Sequence, residues 1–221
     1  MDIKKLVKPN IRSLKAYKAK EIPCRVKLDA NESPYGFTVL KDIKTNRYPD
    51  PEALELRKLV ARVWKVKYGN TLHGNGSDEL IYYLINTFGG PVLYPVPTFS
   101  MYGIISQSLN AKKIEVPLDK DFDLDLGKML KVIRKYKPKL IFLSSPNNPT
   151  GNAFSVEKIE KIIRASKGLV IVDEAYQDYS AKKSFLTLFK KYNNLVTLRT
   201  LSKIGLAGLR TGFMIADTDV V

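Results

Sequence analysis

Apolar residues recur along this chain with two periods that take turns. Leu56, Leu59, Val60, Val63 and Val66 fall at helical steps, after Asp50 as a cap and Pro51 as a first-turn residue, and before the stop signal Gly69-Asn70. A second helix is predicted from Asp78 to Phe88, entered through Gly74-Asn75-Gly76-Ser77 and closed by Gly89-Gly90 in a left-handed turn. Val92-Leu93-Tyr94 reads as a buried strand, Lys113 to Val116 as a strand, and Leu124 to Tyr136 as a helix. Leu140 to Ser144 follows as a strand and Val156 to Ala165 as a helix ending at Gly168; Leu169 to Val172 and Leu195 to Thr200 are two more strands. Residues 1 to 40 are the least periodic.

Short apolar strands separated by helices imply crossover connections and a mostly parallel sheet covered on both faces, an α/β fold. In such sheets ligands sit beyond the carboxyl ends of the strands. Three polar segments lie directly after predicted strands: Ser144 to Gly151, Asp173-Glu174-Ala175-Tyr176, and Thr200-Leu201-Ser202-Lys203. An acid at a strand end, such as Asp173, is costly to bury without a cationic partner. A lysine such as Lys203, with small residues Gly205, Ala207 and Gly208 after it, has room for something beside its amine, and a sheltered lysine amine condenses with carbonyls. Arg210 offers a rigid guanidinium fork suited to a phosphate. Taken singly, each has an ordinary reading: a turn cap for Asp173, a solvated lysine, a surface arginine, a helix cap for Ser77, an Asn-Pro turn for Asn148, and core or rim aromatics for Phe99 and Tyr176.

Charge and composition narrow the field without deciding it. In 221 residues, 37 Lys and Arg face 22 Asp and Glu, a formal net charge of +15, which suits acidic small molecules or nucleic acid. No RNP-like, zinc-finger or recognition-helix pattern accompanies the lysines. One cysteine, Cys24, rules out an internal disulfide and reads as an idle thiol; one histidine, His73, reads as structural, and no zinc cluster can be assembled. The charged N-terminus lacks the apolar core of a signal peptide, and no stretch of 18 apolar residues occurs, so a cytoplasmic protein with no membrane span is expected.

Ser145-Pro146-Asn147-Asn148-Pro149-Thr150-Gly151, Asp173-Glu174-Ala175-Tyr176 and Ser202-Lys203 with Arg210, in that order, resemble the pyridoxal-phosphate signature of fold-type I aminotransferases. Asp29-Ala30-Asn31-Glu32-Ser33-Pro34, Arg47-Tyr48-Pro49, Gly76-Ser77-Asp78-Glu79, Pro97-Thr98-Phe99 and Ala207-Gly208-Leu209-Arg210 are similar to the histidinol-phosphate aminotransferase subgroup. The resemblance runs from about Asn10 to the last residue. It implies an N-terminal arm and small-domain segment over 1–40 and a large cofactor-binding domain over 41–221, C-terminally incomplete.

By that resemblance, Lys203 would carry pyridoxal 5'-phosphate and shuttle the proton, and Asp173 would pair with the ring nitrogen. Asn148 and Tyr176 would bond the phenolic oxygen, with Tyr176 counted among the catalytic residues, and Phe99 would stack on the ring. Arg210, Ser202 and the amides of Ser77 and Asp78 at a helix start would hold the phosphate. Tyr48 would reach the neighbouring subunit's phosphate in a homodimer, and Tyr17 and Asn31 would lie near the substrate.

The implied reaction is amino transfer between L-histidinol phosphate and 2-oxoglutarate, giving imidazole acetol phosphate and L-glutamate, in histidine biosynthesis. Rival readings are a related enzyme that acts on aromatic amino acids or decarboxylates a phosphorylated amino acid, and, from other classes, a non-catalytic basic fragment or a nucleic-acid binder. Two departures from the family pattern stand out. Seven positions separate Lys203 from Arg210, one fewer than the pattern has, which bears on the grip of Arg210. The chain also ends at Val221 after the apolar run Phe213-Met214-Ile215, before the family's C-terminal small domain and its carboxylate-binding arginine. The expectation is that the strand before Val221 has an unpaired or uncovered neighbour, and that these 221 residues alone do not complete a transamination site.

Overall fold

Strand β4 (Leu140–Ser144) shows how the sheet is built, because every one of its residues is buried and its side chains part alternately to two faces. Leu140 and Phe142 join one core cluster, Ile141 and Leu143 another. The computed structural model describes residues 25–26, 50 and 52–221. Around β4 lie α1 (Leu54–Trp64), β1 (Thr71–Asn75), α2 (Ser77–Phe88), β2 (Val92–Val96), α3 (Met101–Ser108), β3 (Lys113–Pro117) and α4 (Leu126–Tyr136). After it come α5 (Val156–Ala165), β5 (Leu169–Asp173), β6 (Leu195–Thr200) and β7 (Thr211–Ile215).

The strands form one seven-stranded sheet in the order β1-β7-β6-β5-β4-β2-β3. Pairs β3·β2, β2·β4, β4·β5 and β5·β6 are parallel, whereas β7 runs antiparallel to both β6 and β1. The α/β fold with a mostly parallel sheet is thus as the pattern predicts. Helices α2 and α3 cover one face through Leu80, Ile81, Leu84, Ile85, Tyr102 and Ile105. Helices α4 and α5 cover the other through Met129, Ile133, Ile159, Ile162 and Ile163. Each such side chain, taken fully out of water, contributes about 1.5–3 kcal/mol, so the two helical layers are held chiefly by this burial. Val60 of α1, with Trp64 beside it, packs on Phe213 and Ile215 of β7.

Local signals explain the element ends. The Asp125 carboxylate accepts from the Lys128 amide at 3.0 Å, so α4 starts at Leu126, two residues later than the apolar pattern suggests. Asp50 accepts from the amides of Glu52 and Leu54 at 3.0 and 2.7 Å, and α1 begins only at Leu54; Pro51 lies outside the described residues. Gly89 closes α2 with φ +70° but ψ −163°, an extended exit in place of the expected left-handed turn. The expectation of an unpaired or uncovered neighbour for the strand before Val221 is met only at the edge of the sheet, where its neighbour β1 pairs with β7 alone among the described residues. Strand β7 itself pairs with Thr71 to Asn75 of β1 on one side and with β6 on the other, and Phe213, Met214 and Ile215 are buried. The pattern concealed this because β1, Thr-Leu-His-Gly-Asn, has neither an apolar run nor clean alternation.

Candidate active site

The parallel strands all point their carboxyl ends to one side, and a cavity of about 720 Å³ opens there. It is lined by segments following five strands: Ser77 and Asp78 after β1, Thr98 to Met101 after β2, Asn148 after β4, Asp173 and Tyr176 at β5, and Ser202 and Lys203 after β6. Arg210 enters from just before β7. The sequence-predicted residues Lys203, Asp173, Asn148, Tyr176, Phe99, Ser77, Asp78, Ser202 and Arg210 are therefore brought to one space. Tyr17, Asn31, Tyr48 and Cys24 lie outside the described residues. His73, on β1, packs its ring against Phe213 at 5.8 Å, in keeping with a structural role.

Strand parity decides which way each side chain turns. Ile171 belongs to the α2/α3 face and Val170 and Val172 to the α4/α5 face, so Asp173 turns to the first and Glu174 to the second. Asp173 is only 3 % exposed. Its Oδ2 accepts from the Tyr102 hydroxyl at 2.7 Å and its Oδ1 from the Ala175 amide at 3.1 Å. Burial raises its pKa, and Asp78 adds to the rise, against the opposite pull of Tyr102, the Ala175 amide and Lys203. A cationic group in the cavity would relieve that cost.

On the other face, the buried Glu174 carboxylate lies 3.0 Å from Arg199 Nε and accepts from Ser184 Oγ and the Phe185 amide, each at 2.6 Å. Arg199 in turn lies over the Trp64 ring at 5.7 Å. Burial raises the Glu174 pKa, the charge of Arg199 opposing it. The Asp-Glu pair thus serves two sides of the sheet, one acid facing the cavity and one tying β5 to β6, the 184–185 turn and α1.

Lys203 Nζ stands 5.6 Å from the centre of the Tyr176 ring, and the Lys203 carbonyl accepts from the Tyr179 hydroxyl. Asn148 Nδ2 donates to Tyr176 Oη at 3.4 Å. Behind Asn148, the buried Asn147 accepts from Thr98 Oγ1 at 2.7 Å and donates to the Pro97 carbonyl at 3.1 Å and Thr150 Oγ1 at 2.8 Å. This side chain binds the loop that carries Phe99 to the loop that carries Asn148.

At the opposite end of the cavity, α2 begins at Ser77 after Gly76, whose φ of +80° favours glycine. A Cβ at Gly212 would meet Gly76 C at 2.4 Å and Ser77 N at 2.5 Å, so only glycine lets β7 pass this close beneath the helix start. Arg210 NH2 would stand 2.5 Å from a Cβ on Gly76 and lies 4.0 Å from Asp78 Oδ2. Ser202 Oγ lies 2.9 Å from Thr200 Oγ1. A helix N-terminus, an arginine and a serine hydroxyl make a donor set that suits a phosphate. The segment after Lys203 delivers Arg210 to this end, with its backbone in the left-handed region at φ +48°.

A model of the family described as aminotransferase class I and II matches residues 15–221. The chain belongs to that family. Among its relatives in the aminotransferase family, the histidinol-phosphate aminotransferase of Thermoanaerobacter pseudethanolicus is 41% identical over 232 residues, covering 99% of this chain and 66% of that protein. That of Aquifex aeolicus is 44% identical over 228 residues, covering 98% of this chain and 64% of that protein. The chain therefore spans slightly less than two thirds of the length of these relatives. The structure of histidinol-phosphate aminotransferase from Sinorhizobium meliloti in complex with pyridoxal-5'-phosphate matches with a TM-score of 0.81 at 25% identity, covering 96% of this chain and 63% of that one. Sequence reasoning gave no role to the side chains that brace this cavity, Tyr102, Asn147 and the Glu174–Arg199 pair, although Asn147 and Glu174 stand in segments it singled out. Tyr102 carried a signal, standing three residues after Phe99 on the same helical approach.

Proposed function

We propose that this chain is the cofactor-binding part of a pyridoxal-phosphate-dependent aminotransferase that moves an amino group between L-histidinol phosphate and 2-oxoglutarate, in histidine biosynthesis. The observation that carries the reading is the convergence of Lys203 and the buried Asp173, from adjacent strands, on a cavity whose far end is a phosphate-suited cup. The donor set fits the cofactor: a buried acid for a ring nitrogen, an amine for an aldehyde, and a glycine-cleared helix start for a phosphate.

When bound, pyridoxal 5'-phosphate supplies an aldehyde that exchanges amines and a ring that accepts an electron pair. Everything else falls to side chains. Arg210, the Ser202 hydroxyl and the amides of Ser77 and Asp78 would hold the phosphate. The Asp173 carboxylate keeps the ring nitrogen protonated, and Phe99 packs on the ring face. Asn148 and Tyr176 hydrogen-bond the phenolic oxygen. The Lys203 amine would hold the cofactor's aldehyde and, with a donor bound, would serve as the base and acid that moves the proton of the donor's amine-bearing carbon. A homodimer in which Tyr48 reaches the neighbouring phosphate, with Tyr17 and Asn31 near the substrate, belongs to the same reading. So do a large domain over 41–221 and a cytoplasmic location.

Borohydride reduction of the pigmented protein followed by peptide mass spectrometry tests it. A pyridoxyl group on Lys203, and none in Lys203→Ala, is the expected result. Conversion of bound cofactor to its amine form by histidinol phosphate supports the donor; conversion by phenylalanine but not by histidinol phosphate replaces it with the aromatic alternative.

A further inference from the structure

Tyr102 presents a buried hydroxyl to a buried carboxylate beside the cavity. Its side chain is fully buried, its ring stacks on Phe142 at 4.9 Å with 15° between planes, and Phe99 meets it edge-on at 5.6 Å. A phenylalanine would satisfy all of those ring contacts. The hydroxyl donates a 2.7 Å bond to Asp173 Oδ2 and has the Ser144 side chain as a second hydrogen-bond partner. We propose that Tyr102 is a positioning residue for Asp173: its hydroxyl anchors one carboxylate oxygen and directs the remaining lone pairs into the cavity.

Three features support this. The carboxylate is anchored at both oxygens, by Tyr102 and by the Ala175 amide, so its plane is fixed before any ligand arrives. Tyr102 stays protonated, and hence a donor, because burial first and the neighbouring Asp173 charge next lift its pKa well above that of a free phenol. The charged groups around Asp173 are otherwise divided: Asp78 from α2 opposes its ionisation and Lys203 beyond β6 favours it. The Tyr102 hydroxyl therefore works against the rise that burial imposes on Asp173 and favours its ionised form. Tyr102 also touches Phe99, so one side chain steadies both the predicted ring-face contact and the predicted ring-nitrogen contact.

The role assigned to Asp173 rests on the proposed function, but the coupling of Tyr102 to Asp173 does not, and the experiment separates them. Carboxyl titration by carbon-13 NMR is carried out on the cofactor-free wild type and on Tyr102→Phe, with Asp173→Asn assigning the signal. The expected result is that Asp173 titrates at higher pH in Tyr102→Phe, with far-UV circular dichroism and melting of the fold retained. In the loaded enzyme, the variant should bind pyridoxal phosphate roughly tenfold more weakly, the change expected from losing one hydrogen bond to a charged group. Its kcat should fall with KM for the amino donor little changed. Superimposable Asp173 titrations in the two proteins overturn the inference. A shifted titration in a wild type that takes up no cofactor upholds the coupling and overturns the proposed function instead.

Discussion

Asp173 and Glu174 are adjacent in sequence, yet their neighbourhoods make opposite predictions. Asp173 sits buried with neutral donors, and its pKa is raised by desolvation, so its charge is a cost in the cofactor-free protein. The sign follows from linkage. An acid whose folded pKa is raised holds its proton longer in the native state than in the unfolded chain; the cost is absent below the ordinary aspartate value of 3.8, grows above it, and is complete above the raised value. Asp173→Asn should therefore melt higher than wild type at pH 8 without cofactor, the gap closing as pH falls toward 3.8, while losing the activity of the loaded enzyme. A lower melting temperature for the variant at pH 8 would contradict the account. Glu174 has a cationic partner, Arg199, the two side chains being 0% and 11% exposed. Removing one member of a buried pair strands the other, so Glu174→Ala should cost about 3–5 kcal/mol in urea unfolding. Exchanging both together, Glu174→Leu with Arg199→Met, should cost much less than the sum of the single changes.

The same contrast shows at the scale of elements. Buried strands and amphipathic helices announce themselves by period: β4, α5 and β6 lie where the apolar pattern puts them, because both faces of the two strands and a single face of the helix demand it. Helix α3 escaped notice. Its Met-Tyr-Gly-Ile-Ile-Ser-Gln-Ser has a glycine at the third position, directly before the apolar pair, and Gly103 is there because a Cβ would come within 2.6 Å of Tyr94 Oη, a constraint visible only once β2 is beside it. Strand β1 was hidden for a related reason, since it is recognised by its pairing with β7 and not by composition. At the site, chemistry-bearing residues at strand ends were legible, whereas Tyr102 and Asn147, which hold them, were not, because nothing in a linear chain marks a tyrosine as facing an acid. Gly212 belongs to this level. Gly212→Ala should push the start of α2 away from β7, a strain of about 1–3 kcal/mol, and weaken pyridoxal phosphate by roughly tenfold or more. Affinity for pyridoxal, which lacks the phosphate, should change less; equal losses for both would show that the glycine does not serve the cup.

For the molecule as a whole, the cavity is where separate segments of chain meet, so occupancy should register in global unfolding. The lining comes from the ends of β1, β2, β4, β5 and β6 and from the approach to β7, segments that a bound cofactor would tie together. The net charge of +15 bears on this too, for a cluster of like charges opposes the compact state and an anionic ligand offsets part of it. A ligand that binds only the folded form stabilises it by about 2.7 kcal/mol at a hundredfold excess over its Kd. For a chain of this size, that is a rise in Tm of roughly 5–10 °C. Pyridoxal phosphate should produce such a rise, pyridoxal less, and inorganic phosphate a small one that vanishes in high salt if it acts through charge alone. Lys203→Ala distinguishes grip from covalency: it should keep the phosphate-dependent part of the shift and lose the rest. A full shift in Lys203→Ala would mean that the amine adds nothing to retention, and no shift in Arg210→Ala beyond that of pyridoxal would assign the phosphate contribution to that guanidinium, reached through a left-handed backbone.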